Sequence, residues 1–287
     1  MGMRERETQG MLYLCATPIG NLADITFHVL DTLKSVDLIA AEDTRNSIKL
    51  LNHFEIKTPM TSYHEYNKYD KAADLIRQMQ DGKNVALISD AGTPAISDPG
   101  EVLVRMCLEA GVTVTSLPGA CACITALTLS GLSARRFCFE GFLPSDKKER
   151  KEILSELSGE TRTIILYEAP HHLSKTLREL LDTLGDRELS LCRELTKRYE
   201  DVRRMTLSEA VSYYEETEPK GEFVLVINGK DRQDKKEQEQ RDWLSMPIME
   251  HMSLYEGMGM DRKESMKLVA KDRGITKREV YQSLLVK

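Results

Sequence analysis

Short apolar or β-branched runs recur along the chain, each separated from the next by a stretch of mixed polarity. They read MLYLCA, DLIAA, NVALIS, VTVTSL, FCFEGF, TIILYE, LSLCREL and EFVLVING. Runs this short and this apolar predict strands covered on both faces. Stretches such as ITFHVLDTLKSV and HHLSKTLRELLDTLG carry apolar residues at intervals of three and four, the spacing of an amphipathic helix. Strand and helix alternating in this way predict an α/β fold of βαβ units around mostly parallel sheets. The strands outnumber what one sheet normally holds, so two α/β domains are expected, 11–130 and 131–230, hinged at SGLSARR (130–136).

The pattern changes after Gly229. Residues 231–240, DRQDKKEQEQ, carry no apolar side chain and predict a charged linker or a solvated helix. Residues 241–287 have the outline of a helical appendage of three short helices. Gly274 stops one of them, and Thr276 with Glu279 three residues later is the pattern of a capping box for the next. Helix, glycine-containing turn, helix is the outline of a helix-turn-helix, which any small helical bundle also presents. Residues 1–10, MGMRERETQG, lack the apolar core of a secretory signal and predict a disordered lead-in.

Composition narrows the class. At 287 residues, with 41% hydrophobic and 30% charged residues, the chain is of globular type and suits about two domains. No apolar run reaches the ~18 residues that span a bilayer, so a cytoplasmic protein with no membrane partner is expected. The six cysteines lie mostly among apolar neighbours, as reduced core cysteines do. Cys121 and Cys123 have neither a partner pair nor a histidine at metal spacing, and no metal is expected. The net charge of −6 excludes a uniformly basic protein, yet seven Lys/Arg face only two acids between Arg262 and Arg278. That asymmetry marks either a polyanion-binding appendage or a solvated helix face.

The candidate chemistry lies in the turns after three strands: TPIGN (17–21), SDAGTPAISDPG (89–100) and LPGAC (117–121). In an open α/β sheet, ligands bind outside the carboxyl ends of the strands. Glycines there let a backbone approach a ligand, and prolines fix the turns. Neither G-x-G-x-x-G nor G-x-x-x-x-G-K-[ST] is present. From Ser89 to Val104 there is no Lys or Arg, but there are Asp90, Asp98 and Glu101. A phosphate suits that loop badly. A cationic nucleoside without phosphate, such as S-adenosylmethionine, suits it better, with another phosphate-free ligand or a purely structural loop as the alternatives.

The ordered set P-I-G-N, D-A-G-T-P-A-I-S-D-P-G, L-P-G-A, Y-E-A-P-H, R-E-L-T-K and K-G-E-F-V-L-V, spanning Leu12 to Gly229, resembles the tetrapyrrole methylase family. Within it, the set is most similar to the branch that methylates a cytidine ribose 2′-hydroxyl of small-subunit (16S) ribosomal RNA. The resemblance implies two α/β domains with S-adenosylmethionine in the cleft between them, and a homodimer acting on the small ribosomal subunit. It implies a cofactor pocket lined by Pro18, Ile19 and Gly20, by Asp90, Ala91, Gly92, Thr93 and Asp98, and by Leu117, Pro118, Gly119 and Ala120, with Tyr167 closing it from the second domain. The small-molecule branch of the family typically has G-G-D-P where this chain has D-A-G-T-P, so C-methylation of a tetrapyrrole precursor is the alternative. A non-catalytic sensor whose tail reads DNA is a third reading.

Methyl transfer from a sulfonium is mostly a matter of alignment and water exclusion, and a base within reach of a ribose hydroxyl adds to it. Candidates for catalysis are Glu42, Asp43 and Arg45 of A-E-D-T-R, a carboxylate pair oriented by a guanidinium, and Glu168 and His171 of Y-E-A-P-H-H. Asp43 can equally cap the following helix, Glu168 can serve local hydrogen bonds, and His171 can cap a helix start. Candidate RNA contacts are Arg193 and Lys197, then Lys263, Lys267, Lys271, Arg273, Lys277 and Arg278 of the basic tail, each of which a solvated surface would also explain. KKERK (147–151) reads as a solvated helix face or an RNA contact, and His64 is a weaker candidate.

Overall fold

The computed structural model describes residues 9–285. The chain forms two compact units: the chain up to Ser155 with Arg162–Asn228, and Glu156–Thr161 with the chain from Gly229 onward.

The first half of the larger unit runs β1 (Met11–Cys15), α1 (Phe27–Ser35), β2 (Leu38–Ala41), α2 (Thr44–His53), β3 (Met60–Ser62), α3 (Lys68–Gln80), β4 (Val85–Ile88), α4 (Gly100–Glu109) and β5 (Thr113–Leu117). The strands form one wholly parallel sheet in the order β3-β2-β4-β1-β5, with Leu12 beside Val85 and Cys15 beside Leu117. Helices cover both faces. Ala72, Leu75, Ile76 and Met79 of α3 recur at helical spacing and pack with Leu103 and Cys107 of α4 on one side. Val29 and Leu33 of α1 and Leu51 of α2 pack on the other. Burial on both faces is why β4, VALI, has no polar position at all.

The second half continues with α5 (Ala122–Ser130), β6 (Phe137–Phe142), α6 (Lys147–Ser158), β7 (Thr163–Glu168), α7 (Pro170–Leu184), β8 (Glu188–Arg193), β9 (Asp201–Thr206), α8 (Leu207–Glu216) and β10 (Phe223–Ile227). Its sheet, β6-β7-β10-β8-β9, is parallel only between β6 and β7 and antiparallel elsewhere. This departs from the expectation of mostly parallel sheets. A strand buried on both faces, such as FVLVI of β10, reads the same in either direction, so its sequence carries no sign of its polarity. Two strands escaped the apolar pattern: β3 is three residues long, and β9, DVRRMT, is an edge strand of largely polar sequence.

In β7 of this sheet, Leu166 is fully buried between Gly141 of β6 and Leu225 of β10. Leu166→Ala is expected to lower unfolding free energy by about 2–5 kcal/mol. Chemical denaturation checks this, and a loss under about 1 kcal/mol would contradict the packing described.

In the smaller unit, α9 (Arg232–Ser245), α10 (Ile248–Gly257), α11 (Arg262–Arg273) and α12 (Lys277–Leu285) surround a core of Met252, Val269, Ala270 and Val280. The charged segment 231–240 is therefore mostly helix rather than linker, because Gln, Glu, Lys and Arg are good helix formers and no Gly or Pro interrupts them. Gly274 ends α11 in the left-handed region. Thr276 and Glu279 exchange the side-chain-to-backbone bonds of a capping box. Of the expected disordered lead-in, residues 1–8 lie outside the described residues. Gly10 is buried and donates its N–H to the Met79 carbonyl at 2.8 Å, so that end of the segment is ordered.

Candidate active site

The turns after β1, β4 and β5 meet because those strands are neighbours in the parallel sheet. Thr17 and Gly92 exchange backbone hydrogen bonds of 2.9 and 3.0 Å, which clamps the first loop to the second. Gly92 takes a φ of +84°, a conformation that favours glycine. The Thr93 hydroxyl donates to the Ala120 carbonyl at 2.9 Å and ties the second loop to the third. Asp98 accepts N–H bonds from Ala95 and Gly100 and shapes the turn into α4.

These loops form one side of a cavity of about 480 Å³. The other side comes from the second sheet, through Phe142, Tyr167, Glu168 and residues 222–224. Phe139 and Phe142 meet the Tyr167 ring edge-on, and the Tyr167 hydroxyl accepts the Cys123 N–H at 3.1 Å, joining the two sides. Glu42, Asp90, Asp98, Glu168 and Glu222 line the cavity, and no Lys, Arg or His does so among the described residues. Burial raises the Glu42 carboxyl above its ordinary pKa, and the charges of Asp90 and Asp98 add to the rise. Glu168 is buried; its carboxylate accepts the Ala169 N–H at 2.8 Å and the Thr176 hydroxyl.

Several candidates stand elsewhere than their sequence suggested. Asp43 caps α2 through the Arg45 N–H at 2.8 Å and pairs with the Arg45 guanidinium. The bonds from Arg45 hold its carboxyl down at about 2. Neither residue lines the cavity, and the Arg45 side chain is 88% exposed. Asp43 does reach the site through its backbone, whose N–H donates to Asp90 Oδ1 at 3.1 Å. His171 is an exposed residue in the first turn of α7, against His172, and is outside the cavity wall.

Ile19, Asp90, Ala91, Gly92, Thr93, Asp98 and Tyr167 line the cavity, but Pro18, Gly20 and the 117–120 turn do not. Leu117 points into the core beneath the sheet, and Pro118 and Gly119 are exposed. Ala120 supplies its carbonyl to Thr93, and the wall is made instead by Cys121 and Ala122 at the start of α5. Gly20 is a close-packing position: a Cβ there would lie 2.4 Å from Lys197 Cγ and 2.8 Å from Thr196 Oγ1.

The RNA candidates divide in the same way. Lys197 is paired with Glu194 at 2.9 Å and Glu222 at 3.0 Å, and Arg193 donates to the Tyr199 carbonyl. Arg273 is buried, donating to His251 Nδ1 and to the Met246 carbonyl, so it braces α11 against α10. Lys263, Lys267, Lys271, Lys277 and Arg278 are exposed and form no ion pair among the described residues. Cys121, Ala122, Phe142 and Glu222 were not singled out as site residues. Cys121 ends the LPGAC turn and Glu222 lies in K-G-E-F-V-L-V, whereas Ala122 and Phe142 carried no chemical signal.

Residues 11–211 match the family profile of the Tetrapyrrole (Corrin/Porphyrin) Methylases. The chain belongs to the tetrapyrrole methylase family. Among curated relatives, it is 49% identical over 278 residues to a Ribosomal RNA small subunit methyltransferase I of Halalkalibacterium halodurans, covering 97% of this chain and 96% of the relative. It is 47% identical to the protein of that name in Bacillus subtilis, covering 100% and 98%. Solved structures of the tetrapyrrole methylase fold resemble it at lower identity. The uroporphyrin-III-C-methyltransferase of Thermus thermophilus superposes with a TM-score of 0.55 at 19% identity, covering 76% of this chain and 94% of that one. A cobalt precorrin-4 methyltransferase superposes with a TM-score of 0.58 at 18% identity, covering 78% and 98%. These likenesses establish the fold expected for a tetrapyrrole methylase.

Proposed function

We propose that the protein transfers a methyl group from S-adenosylmethionine to the ribose 2′-hydroxyl of a cytidine in small-subunit ribosomal RNA. The observation that carries the reading is the acidic cavity at the carboxyl end of the parallel sheet, with five carboxylates and, among the described residues, no cation in its wall. That donor set fits a cationic, phosphate-free nucleoside. S-adenosylmethionine, when bound, supplies a methyl group on a sulfonium, a good leaving group. Ile19, the turn from Asp90 to Thr93, and Tyr167 would hold it.

Glu42 accepts the proton of the attacking hydroxyl. A carboxyl raised above its ordinary range is a better base near neutral pH than an unperturbed one. Asp90, fixed by the Asp43 N–H, and Glu168, fixed by Ala169 and Thr176, supply negative charge at set positions. Phe142 and Tyr167 give the cavity wall an apolar ring surface on the side of the second sheet.

The names of the near-full-length relatives support ribosomal RNA as acceptor over a tetrapyrrole precursor. The structures that act on small molecules are below 20% identical and leave about a fifth of this chain or more uncovered. The proposed setting is the cytoplasm, with the small ribosomal subunit as partner and a homodimer as the working form. Among the described residues, no helix is long and apolar enough to cross a membrane.

Lys263, Lys267 and Lys271 recur every four residues and so share one side of α11, with Lys277 and Arg278 opening α12. These five are the proposed RNA phosphate contacts. Replacing the three α11 lysines with alanine is expected to weaken binding to small subunits. The slope of log affinity against log salt should fall by about 2, with cofactor affinity unchanged. Filter binding across a salt series checks this, and an unaltered slope would remove α11 from the interface. Transfer of labelled methyl groups to small subunits lacking the modification tests the function as a whole.

A further inference from the structure

We infer that Arg150 and Thr176 form a positioning relay that fixes the cavity carboxylate of Glu168 as a hydrogen-bond acceptor. The inference rests on the proposed role of Glu168 in the cavity wall.

A threonine hydroxyl has one proton to give, and a guanidinium has donors only. Arg150 Nη2 lies 2.7 Å from Thr176 Oγ1, so at that contact the hydroxyl must accept. Its proton is thereby directed to the remaining contact, Glu168 Oε2. The other oxygen of Glu168 accepts the Ala169 N–H at 2.8 Å. Each carboxylate oxygen is thus held by one donor, and the carboxylate has no freedom to rotate away from the cavity it lines. Arg150, Thr176 and Glu168 are 9%, 1% and 6% exposed, so water does not compete with these bonds.

Arg150 also holds what surrounds the site. Its Nε donates to Glu179 at 2.7 Å, and its Nη1 donates to the carbonyls of Leu143 and Pro144, the residues that follow Phe142 of the cavity wall. One planar fork therefore ties the turn after β6, α7 and, through Thr176, the end of β7. A lysine offers a single point of charge and cannot reach all three. The flanking Lys147, Lys148 and Lys151 are exposed, which separates Arg150 from the solvated face on which KKERK otherwise lies.

The test compares Thr176→Val, Thr176→Ser, Arg150→Lys and Glu168→Gln with the unaltered protein. Methyl transfer to small subunits lacking the modification is measured alongside cofactor affinity by calorimetry, with thermal unfolding as the check on folding. Thr176→Val keeps the shape of the side chain and removes the hydroxyl. It is expected to lower kcat by about 10- to 100-fold, the scale of a misplaced catalytic group, with KM for small subunits little changed. Thr176→Ser restores the hydroxyl and most of the rate, while Arg150→Lys loses rate as the valine variant does. A folded Thr176→Val enzyme of normal kcat overturns the relay, as does a Thr176→Ser enzyme no better than the valine variant. If Thr176→Val fails to fold, a folded Arg150→Lys enzyme of normal kcat overturns it in the same way. Glu168→Gln separates the two levels. Its full activity and cofactor affinity would overturn the role of Glu168 and the relay with it, whereas an impaired Glu168→Gln beside a normal Thr176→Val overturns the relay alone.

Discussion

Gly92→Val is expected to weaken S-adenosylmethionine binding at least about 100-fold, or ~2.7 kcal/mol, with the fold retained. Gly92 has a φ of +84°, and a Cβ there would meet Ile19 Cγ2 at 3.2 Å and the Ala120 carbonyl oxygen at 3.5 Å. A β-branched residue is poorly tolerated at positive φ, so the strain is relieved only by moving the loop. That movement breaks the paired bonds to Thr17 and displaces Ile19, which lines the cavity. Gly111→Val is the control. Gly111 also has a positive φ, of +72°, but nothing within 4 Å of a Cβ, so its variant carries backbone strain without touching the site. Calorimetry should show lost affinity in the first variant and normal affinity in the second. Equal affinity in both would mean that the loop after β4 is structural.

Glu42→Gln is expected to slow methyl transfer by about 10²- to 10⁴-fold, the contribution of a general base, while cofactor affinity falls far less. In the unaltered protein the rate should decline with acid, because a base must be unprotonated to accept a proton. Burial and the charges of Asp90 and Asp98 favour the protonated form of Glu42, so the decline should be centred above the ordinary carboxylate range. Asp43 cannot produce it, since its bonds to Arg45 hold its carboxyl at about 2. Asp90→Asn removes one of the charges that raise Glu42 and should move the decline to lower pH. A Glu42→Gln enzyme of normal rate and pH profile would exclude Glu42 as the base.

The parts of this site that were legible in the sequence are local ones. Glycine and proline at the ends of apolar runs report turns, and turns at the carboxyl ends of α/β strands are where ligands bind, so Gly92, Thr93 and Asp90 were accessible. What depended on distant partners was not. Lys197 looks solvated until Glu222, 25 residues away, is brought beside it, and Arg273 looks like a nucleic-acid contact until His251, 22 residues away, accepts its hydrogen bond. Arg150 sits in a run of charges and is distinguished from its neighbours only by Thr176 and Glu179. The step from Leu117–Ala120 to Cys121 and Ala122 as the third wall is smaller in kind. The sequence locates the turn after β5, but which of its residues faces the cavity depends on how α5 packs. The antiparallel pairing of the second sheet was hidden because strands buried on both faces carry no mark of direction.

The proposed reaction carries the methyl group of S-adenosylmethionine held in the cavity to ribosomal RNA. The most direct measurement incubates the protein with labelled S-adenosylmethionine and small subunits lacking the modification, then locates the label by nuclease digestion and mass spectrometry. The expected result is label on the ribose of a cytidine, absent when Gly92→Val replaces the unaltered protein. Label on a base, or no label in RNA while a tetrapyrrole precursor accepts it, would contradict the account.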